Sequence, residues 1–372
     1  MSDHGFALPE LLQRAVRAGS APAAVAGWRE TATGKIAVVS SGHSRVFPER
    51  VEATPETWFD LASLTKPLVT TTLALLAFRS GVITSSTRVG EVLSEVRGSD
   101  IGELEVQQLL SHTGGLPTWL PLYCLAEGRP DRLVSSLREV RLEARPGTQV
   151  IYSCIGFVVL GLMLARIAGE ELDRLFRREV LEVVGLEDQL GFNVEYATHS
   201  LCAGAEQPVV ELRMVRTLGF DVRRIPAIGR GLADDGNARF LGGVAGNAGL
   251  FGTARGVVAL ASEFLPKGGS LLSDEERALA TALHTVGLEQ GRGFGWQLGS
   301  TPGCSAGAAL SDAAFGHSGF TGVSVWCEPE TQQCCAMLTN RNHPSQRGND
   351  LHPLRRRFHA VISQGGDGSE RP

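Results

Sequence analysis

The chain has 372 residues, of which 43% are hydrophobic and 20% charged, with a formal net charge of -5 and no long block of like charge. That length exceeds what one core usually fills, so one large domain with an insertion, or two lobes, is expected. The charge pattern gives no reason to expect nucleic acid or an anionic membrane as partner, and the best apolar run, 157–165, is half of the roughly 18 residues a membrane helix requires. A small-molecule substrate is the partner expected; no pattern reveals the oligomeric state.

The first residues, "MSDHGFALPELLQRAVRAGSAPAAVAGW", interrupt their apolar positions with Arg14, Arg17 and Ser20, which argues against a signal-peptide core. Seven cysteines, none in a C-x-x-C pair, with adjacent Cys334 and Cys335 facing opposite sides of a strand, fit reduced thiols. A cytoplasmic location is therefore expected.

In chain order, a short helix around 11–18 precedes "AAVAGWRE" and "KIAVVSSGHSR", two strands joined by "TATG" as a hairpin. Residues 63–80 predict a helix, and further helices follow near 106–110, 133–140, 155–167 and 171–184. From 241 the text "LGGVAGNAGLFGTA" is too glycine-rich for a helix interior and reads as a tight, closely approached loop. Strands return at "GFGWQLG" and "TGVSVWCEPETQQCCAMLTN", the latter a hairpin turning at 328–331. The closing "LHPLRRRFHAVIS" sets Leu351, Leu354, Phe358, Val361 and Ile362 on one helical face. Strands at both ends with helices between predict an α+β fold: an antiparallel sheet built from both chain ends, flanked by helices, with a mostly helical lobe inserted. The expected division is 1–85 plus 250–372 for the sheet lobe and 86–249 for the helical lobe, with the active site between them.

The chemistry centres on "FDLASLTKPLVTTTLALLAF", 59–78. Pro67 has no N–H and disfavours helical geometry at the residue before it, so Ser63 and Lys66 fall at the first helical turn. There the unpaired N–H groups and the positive helix end favour an alkoxide, and three-residue spacing lets the lysine amine reach the hydroxyl. Lysine serves as base to serine only when its pKa is depressed, which burial among Leu61, Leu64 and Leu68 would do. A helix cap beside a solvated lysine is the alternative for this pair alone.

Two more stretches bear on that choice: "PGTQVIYSCIGFVVLGLML" (146–164), with Tyr152 just ahead of a helix, and "FGHSGFTGVSVW" (315–326). With "FDLASLTK" they resemble the serine β-lactamase and penicillin-binding-protein superfamily, in particular its class C β-lactamase-related branch of esterases and D-specific peptidases. "LLSHTGGLP" (109–117), "NARFLGGVAGNAGLFGTA" (237–254) and "LTNRNHP" (338–344) extend the resemblance over most of the chain in the expected order.

By that resemblance Ser63 is the acylated nucleophile, Lys66 its proton acceptor, and Tyr152 the acid/base group that passes the proton to the leaving group, its pKa lowered by the lysine ammonium. His317, Ser318 and Gly319 match the third motif on the substrate-binding strand, and the backbone N–H groups of Ser63 and Phe320 form the oxyanion hole, where losing one donor costs about 3 kcal/mol. Cys154 stands where the family carries Asn or Asp. A thiol is a weak donor and acceptor, so the contact to Lys66 or to a substrate amide is reduced and ester cleavage is favoured over amide or β-lactam turnover. Asn247 replaces a histidine common in similar glycine-rich loops.

Among other candidates, His112 in "SHTGG" reads as a loop-ordering residue, and Cys154 as a small core residue rather than a reactive thiol. Ser305 in "GCSAG" matches G-x-S-x-G but lacks the strand-to-helix context. The nine histidines show no metal-binding spacing and no nucleotide fingerprint opens a βα unit, so neither metal nor cofactor is expected. The reading is a serine hydrolase working through an acyl-enzyme on small esters or D-amino-acid-type amides or β-lactam-like compounds; a non-catalytic binding protein on the same fold, or an acyltransferase, are the alternatives.

Overall fold

Period-two alternation shapes the centre of the molecule. In the computed structural model, which describes residues 8–31, 33–194, 201–229, 231–344 and 350–363, the strand β1 (Ala23–Arg29) sends Ala24 and Ala26 to one face and Ala23 and Val25 to the other. It pairs antiparallel with β2 (Ile36–Arg45) on one side. Its other neighbour, from the far end of the chain, is β10 (Gln333–Thr339). Including β3 (Val51–Glu52), β7 (Gln297–Leu298), β8 (Phe315–Ser318) and β9 (Ser324–Glu328), the antiparallel sheet runs β3-β2-β1-β10-β9-β8-β7. Both chain ends build it, as the sequence predicts.

Each face is covered by helices. Helix Ala254–Ser262 buries Ala254, Val257, Val258 and Ala261 against Val25, Cys334 and Ala336. On the opposite face Leu8 and Leu12 of helix Leu8–Arg17, with Phe358 and Ile362 of helix His352–Ser363, pack on Ala24, Cys335 and Met337. Cys334 and Cys335 thus face opposite sides of β10, and all seven cysteines are free thiols. A separate apolar core, holding Leu109, Leu110, Ile155, Phe157 and Met163, lies under the helices of the chain's middle. Segment 172–181 joins the sheet-side core through Leu172, Phe176 and Leu181.

Two predicted elements take other forms. The strand expected over 293–299 shrinks to β7, because Gly293 to Trp296 makes a turn in which Gly295 adopts φ +74°. The helix expected over 63–80 opens as a 3-10 turn, Ala62–Leu64, widens into a π-helical stretch, Lys66–Thr71, and becomes α-helical over Thr72–Arg79. Pro67 brings no N–H, and the Thr72 hydroxyl donates to the Leu68 carbonyl at 2.9 Å, so these turns do not follow a regular ladder. Helices Val209–Thr217, Ala254–Ser262 and Asp274–Thr281 were not anticipated.

A three-stranded sheet orders the site: β4 (Phe59–Asp60) and β5 (Leu190–Gly191) both pair with β6 (Phe251–Gly252). It ties the turn carrying Ser63 to the end of the glycine-rich loop. No helix among the described residues is long and apolar enough to cross a membrane.

Candidate active site

Strand β4 delivers the chain into a turn held by side chains. Asp60 Oδ1 accepts from the Ala62 N–H at 2.8 Å, the Leu61 N–H donates to the Leu250 carbonyl at 2.9 Å, and the Thr65 hydroxyl donates to the Ala62 carbonyl at 2.7 Å. These contacts hold Ala62 at φ +45°, a region that costs a non-glycine residue about 1–3 kcal/mol. Ser63 follows immediately and faces the cleft.

Lys66 is fully buried, not solvated. Its Nζ donates to Ser63 Oγ at 2.9 Å, to the Asn247 carbonyl at 3.1 Å and to Cys154 Sγ at 3.5 Å. The Asn247 contact depends on the glycine-rich loop approaching helix Cys154–Ala168: a Cβ at Gly246 would lie 2.1 Å from the Phe157 carbonyl oxygen. That is the close approach its composition predicts.

Tyr152 is set by His112. The Ile151 N–H donates to the His112 carbonyl at 2.9 Å and the Ser153 N–H to His112 Nδ1 at 3.0 Å, while the two rings sit 4.6 Å apart. His112 therefore orders the loop before helix Cys154–Ala168. The Tyr152 hydroxyl faces Lys66 and Ser63, and Lys66 Nζ lies 5.1 Å from its ring centre. Cys154, read from sequence as a small core residue rather than a reactive thiol but also as the occupant of the family's Asn/Asp place in the site, lines the cleft at the first helical position.

His317, on β8, completes the wall with its ring 5.8 Å from that of Tyr152. Its Nδ1 donates to the Ser318 carbonyl at 2.9 Å, which leaves Nε2 bare, buried and without a partner among the described residues. Gly319 is needed because a Cβ there would lie 2.5 Å from Val323 Cγ2 and 3.0 Å from the Leu61 carbonyl oxygen. This lets the turn after β8 meet the Ser63 turn. Phe320 follows at the cleft mouth, its carbonyl held by Arg341 Nε at 2.9 Å.

Protonation in the site departs from the sequence expectation on two counts. Burial pulls the Lys66 ammonium down, but the acidic groups of Cys154 and Tyr152 beside it outweigh burial, so its pKa is raised rather than depressed. Tyr152 is also raised, because burial outweighs the pull of Lys66. Burial likewise raises the Cys154 thiol. His112 and His317 are held neutral by burial and, next, by the positive charges of Arg292 and Lys66. The resting state at neutral pH is then a lysine ammonium beside a phenol and a thiol. Behind the turn, burial and the neighbouring Asp234 push Asp60 up to about 7.

The predicted residues Ser63, Tyr152, Cys154, His317, Ser318, Gly319 and Phe320 all line one cleft of about 710 Å³, with Lys66 buried against its wall. Ser305 lies elsewhere: it is buried, and its hydroxyl accepts from Trp326 Nε1 at 3.0 Å. Sequence reasoning did not find Arg292, whose guanidinium carbon lies 5.8 Å from the Tyr152 ring centre, nor Asp60 as the brace of the turn that carries Ser63. Asp60 stands inside the quoted motif and could have been found; Arg292 has no local signal that separates it from the other lysines and arginines among the chain's 35.

The model of the Beta-lactamase family matches residues 11–360. The chain belongs to this family. Among curated proteins it is 24% identical over 327 residues to an Escherichia coli (strain K12) protein with an inferred D-alanyl-D-alanine carboxypeptidase activity, an alignment covering 81% of this chain and 73% of that one. Among solved structures, "EstCE1, a hydrolase with promiscuous acyltransferase activity" superposes with a TM-score of 0.71 at 20% identity, covering 94% of this chain and 96% of the other. A class C beta-lactamase superposes with a TM-score of 0.72 at 16% identity, covering 95% and 94%. Both carry the fold predicted from the sequence. This member of the beta-lactamase family keeps that fold with Cys154 and Asn247 meeting at Lys66.

Proposed function

We propose that this chain is a serine hydrolase that works through an acyl-enzyme on Ser63, with small esters, D-amino-acid-type amides or β-lactam-like compounds as acyl donors. The observation that carries the reading is the buried Lys66 amine, 2.9 Å from the Ser63 hydroxyl in a cleft that also presents Tyr152. In the acylation step the Ser63 oxygen attacks the acyl carbon and its proton passes to the Lys66/Tyr152 pair. Because the resting pair is an ammonium and a phenol, one proton must leave before either group can act as base. The backbone N–H groups of Ser63 and Phe320 stabilise the developing oxyanion, and the Tyr152 hydroxyl returns the proton to the leaving group. Water then resolves the ester.

Cys154 shifts this reading toward esters. Its thiol contacts Lys66 at 3.5 Å but offers a substrate amide only a weak donor. Acyl transfer to an alcohol is the second reading, favoured by the superposition on a hydrolase with promiscuous acyltransferase activity. We also place the protein in the cytoplasm and divide it into a sheet lobe, 1–85 plus 250–372, and a helical lobe, 86–249, with the cleft between, the stretch 172–191 of the latter packing on the sheet side.

Intact-protein mass spectrometry after brief exposure to a p-nitrophenyl ester and, separately, to a penicillin tests the proposal on wild type and Ser63→Ala. An adduct or product burst that vanishes in Ser63→Ala is the expected result. A wild type never labelled, or a variant labelled equally, overturns it and leaves a non-catalytic binding protein. Faster product release on adding an alcohol selects the acyltransferase.

A further inference from the structure

Arg292 is a buried cation without an acid. It is 6% exposed, and among the described residues it makes no ion pair and a single side-chain hydrogen bond, from Nη2 to Gln290 Oε1 at 2.7 Å. Its Nε is buried with no partner among the described residues. The backbone around it is fixed: the Arg292 N–H donates to Thr285 Oγ1 at 2.9 Å, its carbonyl accepts from the His284 N–H at 2.8 Å, and Thr285 Oγ1 donates to the Gln290 carbonyl at 2.6 Å. The turn holds the guanidinium at the cleft wall over the face of Tyr152, with 5.8 Å to the ring centre. That distance is within range of an electrostatic attraction to the ring.

A guanidinium kept out of water normally sits beside a carboxylate. Here burial pulls the guanidinium's pKa down, and the groups that favour its charge against that pull are Tyr152 and then the Cys304 thiol. The other groups facing Tyr152 cannot supply a second cation: His112 and His317 are neutral, and the Cys154 thiol is held protonated by burial. Lys66 alone must otherwise offset the burial of a phenolate.

We propose that Arg292 is a positioning residue for proton transfer: with Lys66 it is the second fixed cation that holds the Tyr152 hydroxyl ready to ionise. This inference rests on the reading of Ser63 as the acylated residue. A positive charge facing the pair disfavours its fully protonated state, so Arg292 lowers the pH at which the first proton leaves and the pair becomes a base. Removing the charge moves the rising limb of acylation to higher pH.

The test is the pH profile of the p-nitrophenyl acetate burst in wild type, Arg292→Gln and Arg292→Lys. Arg292→Gln is expected to shift the rising limb upward by about one pH unit, so that acylation below the limb slows about ten-fold, while Arg292→Lys recovers most of the shift. A loss of the same factor at every pH, or an unchanged profile, overturns the inference. A second readout does not need turnover. In protein labelled at the tyrosine ring carbon that bears the hydroxyl, NMR resolves Tyr152 among three tyrosines, assigned by its absence in Tyr152→Phe. Its shift toward the phenolate position should begin at lower pH in wild type than in Arg292→Gln, and coincident titrations contradict the role. Should wild type show no burst, the proposed function fails, and the NMR comparison still decides for or against Arg292.

Discussion

Two turns each bring one buried cation to Tyr152, and they hold it in opposite ways. The turn at 60–66 is braced by side chains and gives Lys66 three acceptors, one of them the Ser63 hydroxyl. The turn at 284–296 is braced by backbone and by Thr285, and leaves the Arg292 guanidinium with a single bond to Gln290. The first cation is saturated and in line with the nucleophile; the second is under-bonded and faces the ring. On the proposed function, this difference in contacts is what separates a group that exchanges a proton from one that acts through its field.

The contrast breaks most sharply at Lys66. Lys66→Met should remain folded, because its partners are a hydroxyl, a thiol and a carbonyl and no buried charge is left unpaired, yet acylation should fall by about a thousand-fold or more. Burst kinetics and thermal melting together check this; a burst within ten-fold of wild type contradicts the assignment. Tyr152→Phe should lower acylation by about 10²–10⁴-fold. Since burial raises the Tyr152 hydroxyl and the acidic neighbours raise Lys66, wild-type acylation should climb as pH rises above neutral, and Tyr152→Phe should lose that climb.

The geometry of the turn that carries Ser63 gives smaller effects. Gly319→Ala sets a Cβ against Val323 and the Leu61 carbonyl, and should destabilise the fold by about 1–3 kcal/mol in denaturant titration, with slower acylation. Asp60 gives a signature in the pH dependence of stability. Its carboxyl titrates at about 7 in the folded protein against an ordinary value of 3.8, so the native state holds the extra proton between these values. Its contribution to stability is fully present below about 4 and is lost as pH rises to about 7. The thermal midpoint should therefore fall over that window in wild type and fall less steeply in Asp60→Asn; equal slopes count against a raised Asp60.

What the sequence disclosed follows the range of the interaction. Ser63 and Lys66 are three residues apart, and helical spacing brings them together whatever the remainder does. The turn signals after 23–29 and before 333–339 marked two central strands as hairpin arms, and the glycines of 241–249 marked a loop that another backbone must approach. Tyr152, His317 and Phe320 were placed by family resemblance, since nothing local distinguishes a cleft tyrosine from a core one. Arg292 was invisible because its relation to Tyr152 spans 140 positions of sequence and exists only once the turn after Thr285 has formed. The direction of the Lys66 and Tyr152 shifts was also out of reach: it depends on how burial balances against the neighbouring thiol and phenol, which spacing does not encode.

The central claim is that Ser63 carries the acyl group. Acid-quenching the wild-type protein within the p-nitrophenyl acetate burst and mapping the acetyl group by peptide mass tests it most directly. The account predicts one acetyl on the peptide containing Ser63, absent from Ser63→Ala. An acetyl group found instead on Cys154 or Ser305, or label that persists in Ser63→Ala, would contradict it.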